Sequence, residues 1–407
     1  MRILLLNNFH YRRGGSETVY LNIADLLKKH GHDVEFYSIK HKENYPARFS
    51  NIFSEGSNAC KNKLKGSIKY ISNKNAAKNL ETVIRKFKPD IAHIHLIWGG
   101  LTKSVLKVLS QKNIPVLHTV HDFRMVCPAY TFMTPEGKIC EQCRGKNFMR
   151  CIINRCGKGS LIQSVLMATE AYLRIWDRTY NDFTHIHYVS EFSKKKHEEY
   201  NNQLKNIPST ILYNFVPFPT IRIEPANRNV YTFCGRLSKE KGVETLLKAF
   251  AKRPDLKLRI IGTGPMETKL KILANETKMT NVEFTGYLNG DTLTKAIASS
   301  RFVCIPSECY ENNPMSALES FSMGVPVISA NVGGCPEIVK SGITGFLFES
   351  GNVESLIQIL DQSNAMSDAE YARLCQTTYS TYLNDYTPES YYPKLIKIYQ
   401  NTIKNKN

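Results

Sequence analysis

Ile3-Leu4-Leu5-Leu6 is a short apolar run; Gly14-Gly15 sit in the polar stretch after it, apolar residues recur at helical spacing from Val19 to Leu27, and Val34 to Ser38 is apolar again. Strand-length runs separated by a helical period read as a βαβ unit, and such a crossover requires a parallel sheet. The rhythm continues through Ile91-Ala92-His93-Ile94-His95, Val116-Leu117-His118-Thr119-Val120, His187 to Ser190 and Thr210 to Tyr213, so the first half reads as one doubly wound domain. A second series follows the proline-bearing segment Asn214 to Pro219. Its strands are Tyr231 to Cys234, Leu258 to Ile261, Val282 to Thr285, Phe302 to Pro306 and Val325 to Ser329.

The fold class is therefore α/β, with two Rossmann-like doubly wound domains expected to face a central cleft lined by the carboxyl ends of their strands. Residues 1–216 would form the first domain and 217–385 the second, joined by a linker near 214–222. Pro388 to Lys404 has helical spacing at Tyr392, Leu395, Ile396 and Tyr399, and residues 386–407 are expected to pack back on the first domain as a C-terminal helix. A length of 407 residues fits two domains, and 42% hydrophobic with 22% charged residues fits a fully folded chain.

The apolar run at the start is too short for a signal-peptide core, and no stretch of eighteen apolar residues occurs. A cytoplasmic protein without a membrane span is expected. Eleven cysteines, an odd number, then suggest reduced thiols or a metal site rather than a disulfide framework. The net charge of +18 is unevenly placed: residues 1–218 hold 33 of the 54 Lys and Arg but 17 of the 36 Asp and Glu, leaving 21 against 19 for the rest. An anionic partner of the first half is one reading, and a solvated basic surface is the other.

Chemistry concentrates in the second half. Gly235-Arg236-Leu237-Ser238-Lys239-Glu240-Lys241-Gly242 follows a strand and leads into the helical Val243 to Phe250. Arg236 could hold phosphate oxygens in a fork and Lys241 could add a point charge, so the loop suits a diphosphate, although a plain surface turn has the same composition. Ile261-Gly262-Thr263-Gly264-Pro265 offers a second glycine turn at a strand end. After the strand ending at Pro306, Glu311 and Glu319 stand eight residues apart, one before a helix and one within it. Glu319 suits a ribose diol, while Glu311 and the amides of Asn312, Asn313, Pro314, Met315 and Ser316 form a segment able to read sugar hydroxyls. Two solvated glutamates flanking a helix are the plainer alternative.

Phe321-Ser322-Met323-Gly324-Val325-Pro326-Val327-Ile328 and Gly333-Gly334-Cys335-Pro336-Glu337 complete the pattern. From Gly235 to Phe348 the chain resembles glycosyltransferase family 4, and Gly14-Gly15, Pro89 to His95 and Thr119 to Asp122 extend the resemblance over the first half. The resemblance implies a GT-B fold and a retaining glycosyltransferase that needs no metal or other cofactor. Its donor would be a nucleotide-diphosphate sugar, UDP- or GDP-linked. Arg236 and Lys241 would hold the diphosphate, Glu319 the ribose, and Glu311 with its following amides the sugar. His121 would contact the transferred sugar, and Gly14, Gly15 and Gly264 would approach donor or acceptor. Asn312-Asn313-Pro314 replaces the Gly-Phe-Gly of many members. The implied acceptor is a glycan, with a lipid diphosphate carrier expected, in capsule, O-antigen or exopolysaccharide assembly. A nucleotide-sugar epimerase of the same architecture and a basic nucleic-acid binder are the alternatives, and the second leaves the Arg236, Lys241, Glu311 and Glu319 arrangement idle. No nucleic-acid partner is expected.

Two features lie outside this pattern. Cys127, Cys140, Cys143, Cys151 and Cys156 cluster in sequence, and the last four could form a structural zinc knuckle or remain unligated. Ser160 to Trp176 is an apolar-rich helix candidate after a basic segment, read either as core or as a peripheral contact with the anionic inner face of the plasma membrane. Arg12, Arg13, Lys61, Lys63, Lys65 and Lys69 add to that candidate surface.

Overall fold

Strands buried on both faces read as continuous apolar runs, because helices cover a parallel sheet above and below. Ile3, Leu4, Leu5 and Leu6 follow this rule and are fully buried. The computed structural model describes residues 1–60, 62–221, 223–225 and 228–406; Lys61 and the linker residue Arg222 lie outside them. The chain divides into two compact units, one of Met1–Pro135, Cys140–Tyr213 and Tyr391–Asn407, the other of Glu136–Ile139 and Asn214–Ser390.

In the first unit β1 (Arg2–Leu6), β2 (Asp33–Tyr37), β3 (Ile91–Ile94), β4 (Val116–Val120), β5 (His185–Tyr188) and β6 (Ser209–Ile211) form a parallel sheet in the order β2-β1-β3-β4-β5-β6. Strand order reverses between β1 and β3, so the loops after these two strands diverge and leave a crevice. In the second unit β7 (Val230–Cys234), β8 (Lys257–Ile261), β9 (Val282–Gly286), β10 (Ser300–Ile305), β11 (Val327–Ala330) and β12 (Gly345–Phe348) are ordered β12-β11-β10-β7-β8-β9, again all parallel. Here the reversal lies between β7 and β10, whose following loops carry Arg236, Lys241 and Glu311.

Eleven of these strands fall on runs read from the sequence, with ends displaced by a few residues. β11 begins at Val327 rather than Val325, because Pro326 has no N–H for the ladder. β12 is additional: four residues starting at a glycine carry too little period to stand out.

The helix Pro388–Lys404 turns Leu395, Ile398 and Tyr399 inward. Within the first unit Tyr399 Oη lies 2.8 Å from Nδ1 of the fully buried His93 on β3. Tyr392 stacks on His30, with ring centroids 3.6 Å apart, and its Oη lies 2.8 Å from His32 Nε2. Replacing Tyr399 by Phe keeps the packing but strands the His93 nitrogen. The expected cost is about 1–3 kcal/mol in urea unfolding; an unchanged midpoint would mean that this hydrogen bond contributes nothing to stability.

Candidate functional site

The loops that end β7, β8, β10 and β11 meet backbone to backbone. Gly242 has φ +65°, and a Cβ there would stand 1.8 Å from the Pro306 carbonyl oxygen, so only glycine lets the β7 loop pass the β10 loop. Gly333, at φ +61°, plays the same part against Glu311, whose carbonyl accepts from Gly334 N–H at 2.7 Å. Gly264 lies against the Leu237 backbone, and Leu237 N–H donates to Thr263 O at 2.9 Å. The glycines of this half thus hold four loops together around the switch point.

Charge is unevenly satisfied there. Lys241 Nζ donates to Glu311 Oε1 at 2.5 Å, and Ser307 Oγ donates to the same oxygen at 2.6 Å. Burial pushes the Glu311 carboxyl upward, but the Lys241 charge and the two hydrogen bonds more than offset it and hold the carboxyl below its usual range. Burial likewise disfavours the Lys241 ammonium, yet Glu311 raises it above the ordinary lysine value. The two groups expected on separate parts of a ligand are therefore one another's counter-ion, and Lys241 still has further donors to offer. The Arg236 guanidinium is exposed and makes no hydrogen bond or ion pair with the described residues.

Asn312, Asn313 and Pro314 are buried and lead into helix Met315–Ser322, with Met315 and Ser316 half-buried in its first turn. Pro314 supplies no side-chain cap; Ala317 N–H donates to the Pro314 carbonyl at 3.0 Å, and the N–H groups of Met315 and Ser316 meet no side-chain cap among the described residues. Asn214 N–H donates to Asn313 Oδ1 at 3.2 Å, and Asn313 Nδ2, on a residue 8% exposed, has no partner among the described residues. At the other end Arg228 donates to the carbonyls of Met323, at 2.8 Å, and Gly324, at 2.5 Å, fixing the helix terminus. Glu319, half-buried on this helix, reaches the end of β7: burial and then the Glu319 charge push the Cys234 thiol up to about 12. Ser307 and Arg228 were not singled out by sequence reasoning; no local motif marks a residue whose partner is a carboxylate or helix end elsewhere in the chain.

In the first unit Gly14 is the extended N-cap of helix Gly15–Lys29, and both glycines are exposed after β1. Glu17, in the first turn, is buried and accepts from Ser16 Oγ at 3.0 Å. His121, just past β4, lies 2.8 Å from His95 by Nε2 to Nδ1, with the rings stacked 5.1 Å apart. Behind them His93 Nε2 and His187 Nδ1 both contact Thr119 Oγ1, at 2.7 and 2.8 Å, and His187 Nε2 contacts Leu212 O at 2.7 Å. Burial, then neighbouring histidines, lower His121 to about 3, and burial lowers His187 to about 4. These rings are neutral near pH 7. Glu17 and His95 are the site candidates that sequence reasoning passed over, although Glu17 follows the glycine pair and His95 ends the strand-length run from Ile91.

With this geometry in place, comparison with known proteins gives two family matches that together span most of the chain. A model described as Glycosyltransferase Family 4 matches residues 13–218, and one described as Glycosyl transferases group 1 matches residues 219–376. The chain belongs to glycosyltransferase family 4. A sulfoquinovosyl transferase of Arabidopsis thaliana is 30% identical over 287 residues, covering 67% of this family 4 chain, which spans about half (49%) of that relative's length. Among solved structures, a lipopolysaccharide outer core galactosyltransferase, WaaB, superposes with TM-score 0.67 at 17% identity, covering 100% of both chains. HepE of Anabaena, in complex with UDP and glucose, gives TM-score 0.68 at 17% identity over 98% of this chain and 100% of that one. At such identities the likeness shows the fold, the GT-B fold of two Rossmann-like domains.

Of the two readings left open for the cysteine cluster, the zinc knuckle is not supported. Cys127, Cys140, Cys143, Cys151 and Cys156 do line one cavity, but no three His, Cys, Asp or Glu among the described residues are arranged to hold a metal ion. Cys151 shares a hydrogen bond with Cys156 and its Sγ also lies 4.0 Å from Ser164 O, while Asn154 Nδ2 donates to Cys140 Sγ at 3.8 Å. Burial, then neighbouring sulfurs, push Cys143 up to about 12.

Removing one partner of the Lys241–Glu311 pair should be worse than removing both. Lys241→Met leaves a half-buried carboxylate without its counter-ion and is expected to cost about 1–3 kcal/mol in urea unfolding, much of it recovered in Lys241→Met/Glu311→Gln; equal losses in both would show that the pair is not coupled. The histidines set a pH dependence. Each takes a proton near pH 6.5 when unfolded and only at lower pH when folded, so their stabilising effect is full above about pH 6.5 and lost as pH falls toward the folded values. Unfolding free energy is expected to decline from about pH 6.5 to 5, by up to roughly 1.4 kcal/mol per pH unit for each such ring; a flat profile would contradict the buried neutral assignment.

Proposed function

We propose that the chain transfers a sugar from a nucleotide diphosphate to a hydroxyl of a glycan acceptor, with retention at the anomeric carbon and without a metal ion. The observation that carries the reading is the Arg236 guanidinium, exposed and unpaired among the described residues, on the same loop as the half-buried Lys241–Glu311 pair, at the reversal of strand order. A diphosphate would bring the negative charge that Arg236 lacks and accept the remaining Lys241 donors. Glu319 would take the ribose hydroxyls, and Glu311 with the amides of Met315 and Ser316 would read the sugar, joined by Asn313 Nδ2. His121, held by His95 and neutral, would donate or accept one hydrogen bond to the transferred sugar. Gly14, Gly15 and Gly264 would leave room for donor or acceptor.

In the reaction the acceptor oxygen bonds to the anomeric carbon on the face from which the diphosphate leaves. The carbon–phosphate oxygen bond breaks with its electron pair on the nucleotide, and the acceptor proton passes to the departing phosphate oxygen. Arg236 and Lys241 stabilise the growing charge, so positioning and electrostatics do the catalysis. UDP is the first base to test, since HepE is described with UDP and glucose. A surface-polysaccharide acceptor on a lipid carrier is supported by the basic first half and by the WaaB likeness.

Thermal melting with UDP, GDP and their sugars is expected to show stabilisation by one nucleotide, lost in Arg236→Ala and Glu319→Ala. With that donor, Arg236→Ala should lose about 2–4 kcal/mol of barrier stabilisation, roughly a hundredfold in kcat. Turnover should survive EDTA, and NMR should find the product with the donor's anomeric configuration. No stabilisation by any nucleotide would remove the basis for the donor site; inversion or EDTA loss would overturn the mechanism alone.

A further inference from the structure

Helix Leu161–Trp176 buries Met167, Ala168 and Ala171 on one face yet leaves apolar residues exposed on the other. Its inward face carries Glu170 and Arg174, both buried, with Glu170 Oε1 3.0 Å from Arg174 Nε and Oε2 3.3 Å from Arg124. Its outward face carries Ile162 (80% exposed), Val165, Thr169, Tyr172 and Trp176 (82% exposed). The steps between these positions are three, four, three and four residues, so they form one continuous stripe along the helix. Burying a charged network while exposing such a stripe raises the free energy in water, and a contiguous exposed apolar strip marks an interaction surface.

The adjoining segment extends it. Helix Met149–Ile153 is fixed to the same helix by Phe148, whose ring meets Tyr172 at 5.0 Å, and by Met149 N–H donating to Tyr172 Oη at 3.1 Å. Met149 and Ile153 are exposed there too. Residues 144–178 contain seven Lys and Arg against two acids, Glu170 and Asp177; Glu170 is buried in its ion-pair network and Asp177 is paired with Lys103. Arg150, Arg155, Lys158 and Arg178 are exposed and without ion pairs among the described residues.

We infer that this stripe and its flanking cations dock the first unit on an anionic bilayer surface, with Ile162, Val165 and Trp176 entering the headgroup boundary. An apolar helix face edged by cations, with a tryptophan at one end, matches the chemistry of that boundary. A second copy seated on the same stripe would press like-charged rims together, which disfavours self-association. The inference rests on the transferase reading only for its purpose, bringing the active unit to a lipid-borne acceptor.

The test is cosedimentation of the full chain with phosphatidylcholine vesicles, with and without phosphatidylglycerol. Binding to the anionic vesicles alone is expected, weakened by salt, with a blue shift of tryptophan emission that Trp176→Phe abolishes. Ile162→Ser/Val165→Ser/Trp176→Ser and, separately, Arg150→Glu/Arg155→Glu should each weaken binding by about tenfold or more, leaving the nucleotide-induced melting shift unchanged. That shift reports the donor site separately, so either reading can fail without the other. Wild type remaining in the supernatant, undiminished binding by the triple-serine variant, or a wild-type dimer that this variant turns into a monomer would each overturn the proposal.

Discussion

At Gly242 the chain passes the Pro306 carbonyl so closely that no side chain fits between them. Everything placed around the second sheet's switch point depends on that approach. It brings the loop bearing Arg236 and Lys241 against the loop bearing Glu311, and it lets the half-buried ion pair close. Gly333 repeats the device on the far side of Glu311, so the carboxylate is gripped by backbone from two directions. A site built this way is set before any ligand arrives, because carbonyls and amides cannot rotate out of place as side chains can.

The strands were legible because a parallel sheet covered on both faces demands uninterrupted apolar runs, and Ile3 to Leu6 or Val116 to Val120 can be read as little else. Their ends were less so: at Pro326 the ladder starts two residues late because a proline cannot donate, while β12 is too short to show a period. The clustering of Arg236, Lys241, Glu311 and Glu319 near one strand-order reversal followed from placing each after a strand. What spacing could not reveal was that Lys241 and Glu311 bind each other; that depends on a distance across two loops. His95 and Glu17 escaped for the same reason, since their importance lies in the partner and the burial rather than in the local pattern.

The two sheets satisfy polar groups differently. In the second, charge meets charge at the loop ends. In the first, neutral imidazoles and a threonine hydroxyl form a buried network across β3, β4 and β5, which keeps polar side chains inside a sheet core by pairing them with one another. Glu170 with its two arginines does the same on the inward face of helix Leu161–Trp176, beside the buried Met167, Ala168 and Ala171.

The pairing of His93 with Tyr399 has a bearing on how the protein is made. The two residues are 306 positions apart, and the whole second unit is translated between them. A ribosome therefore releases the first sheet long before the helix that finishes its polar accounting, and the later-synthesised unit can fold while the earlier one is still incomplete. During that interval the imidazole on β3 meets water in place of Tyr399, so this hydrogen bond of the first unit can form only after the second unit has been synthesised.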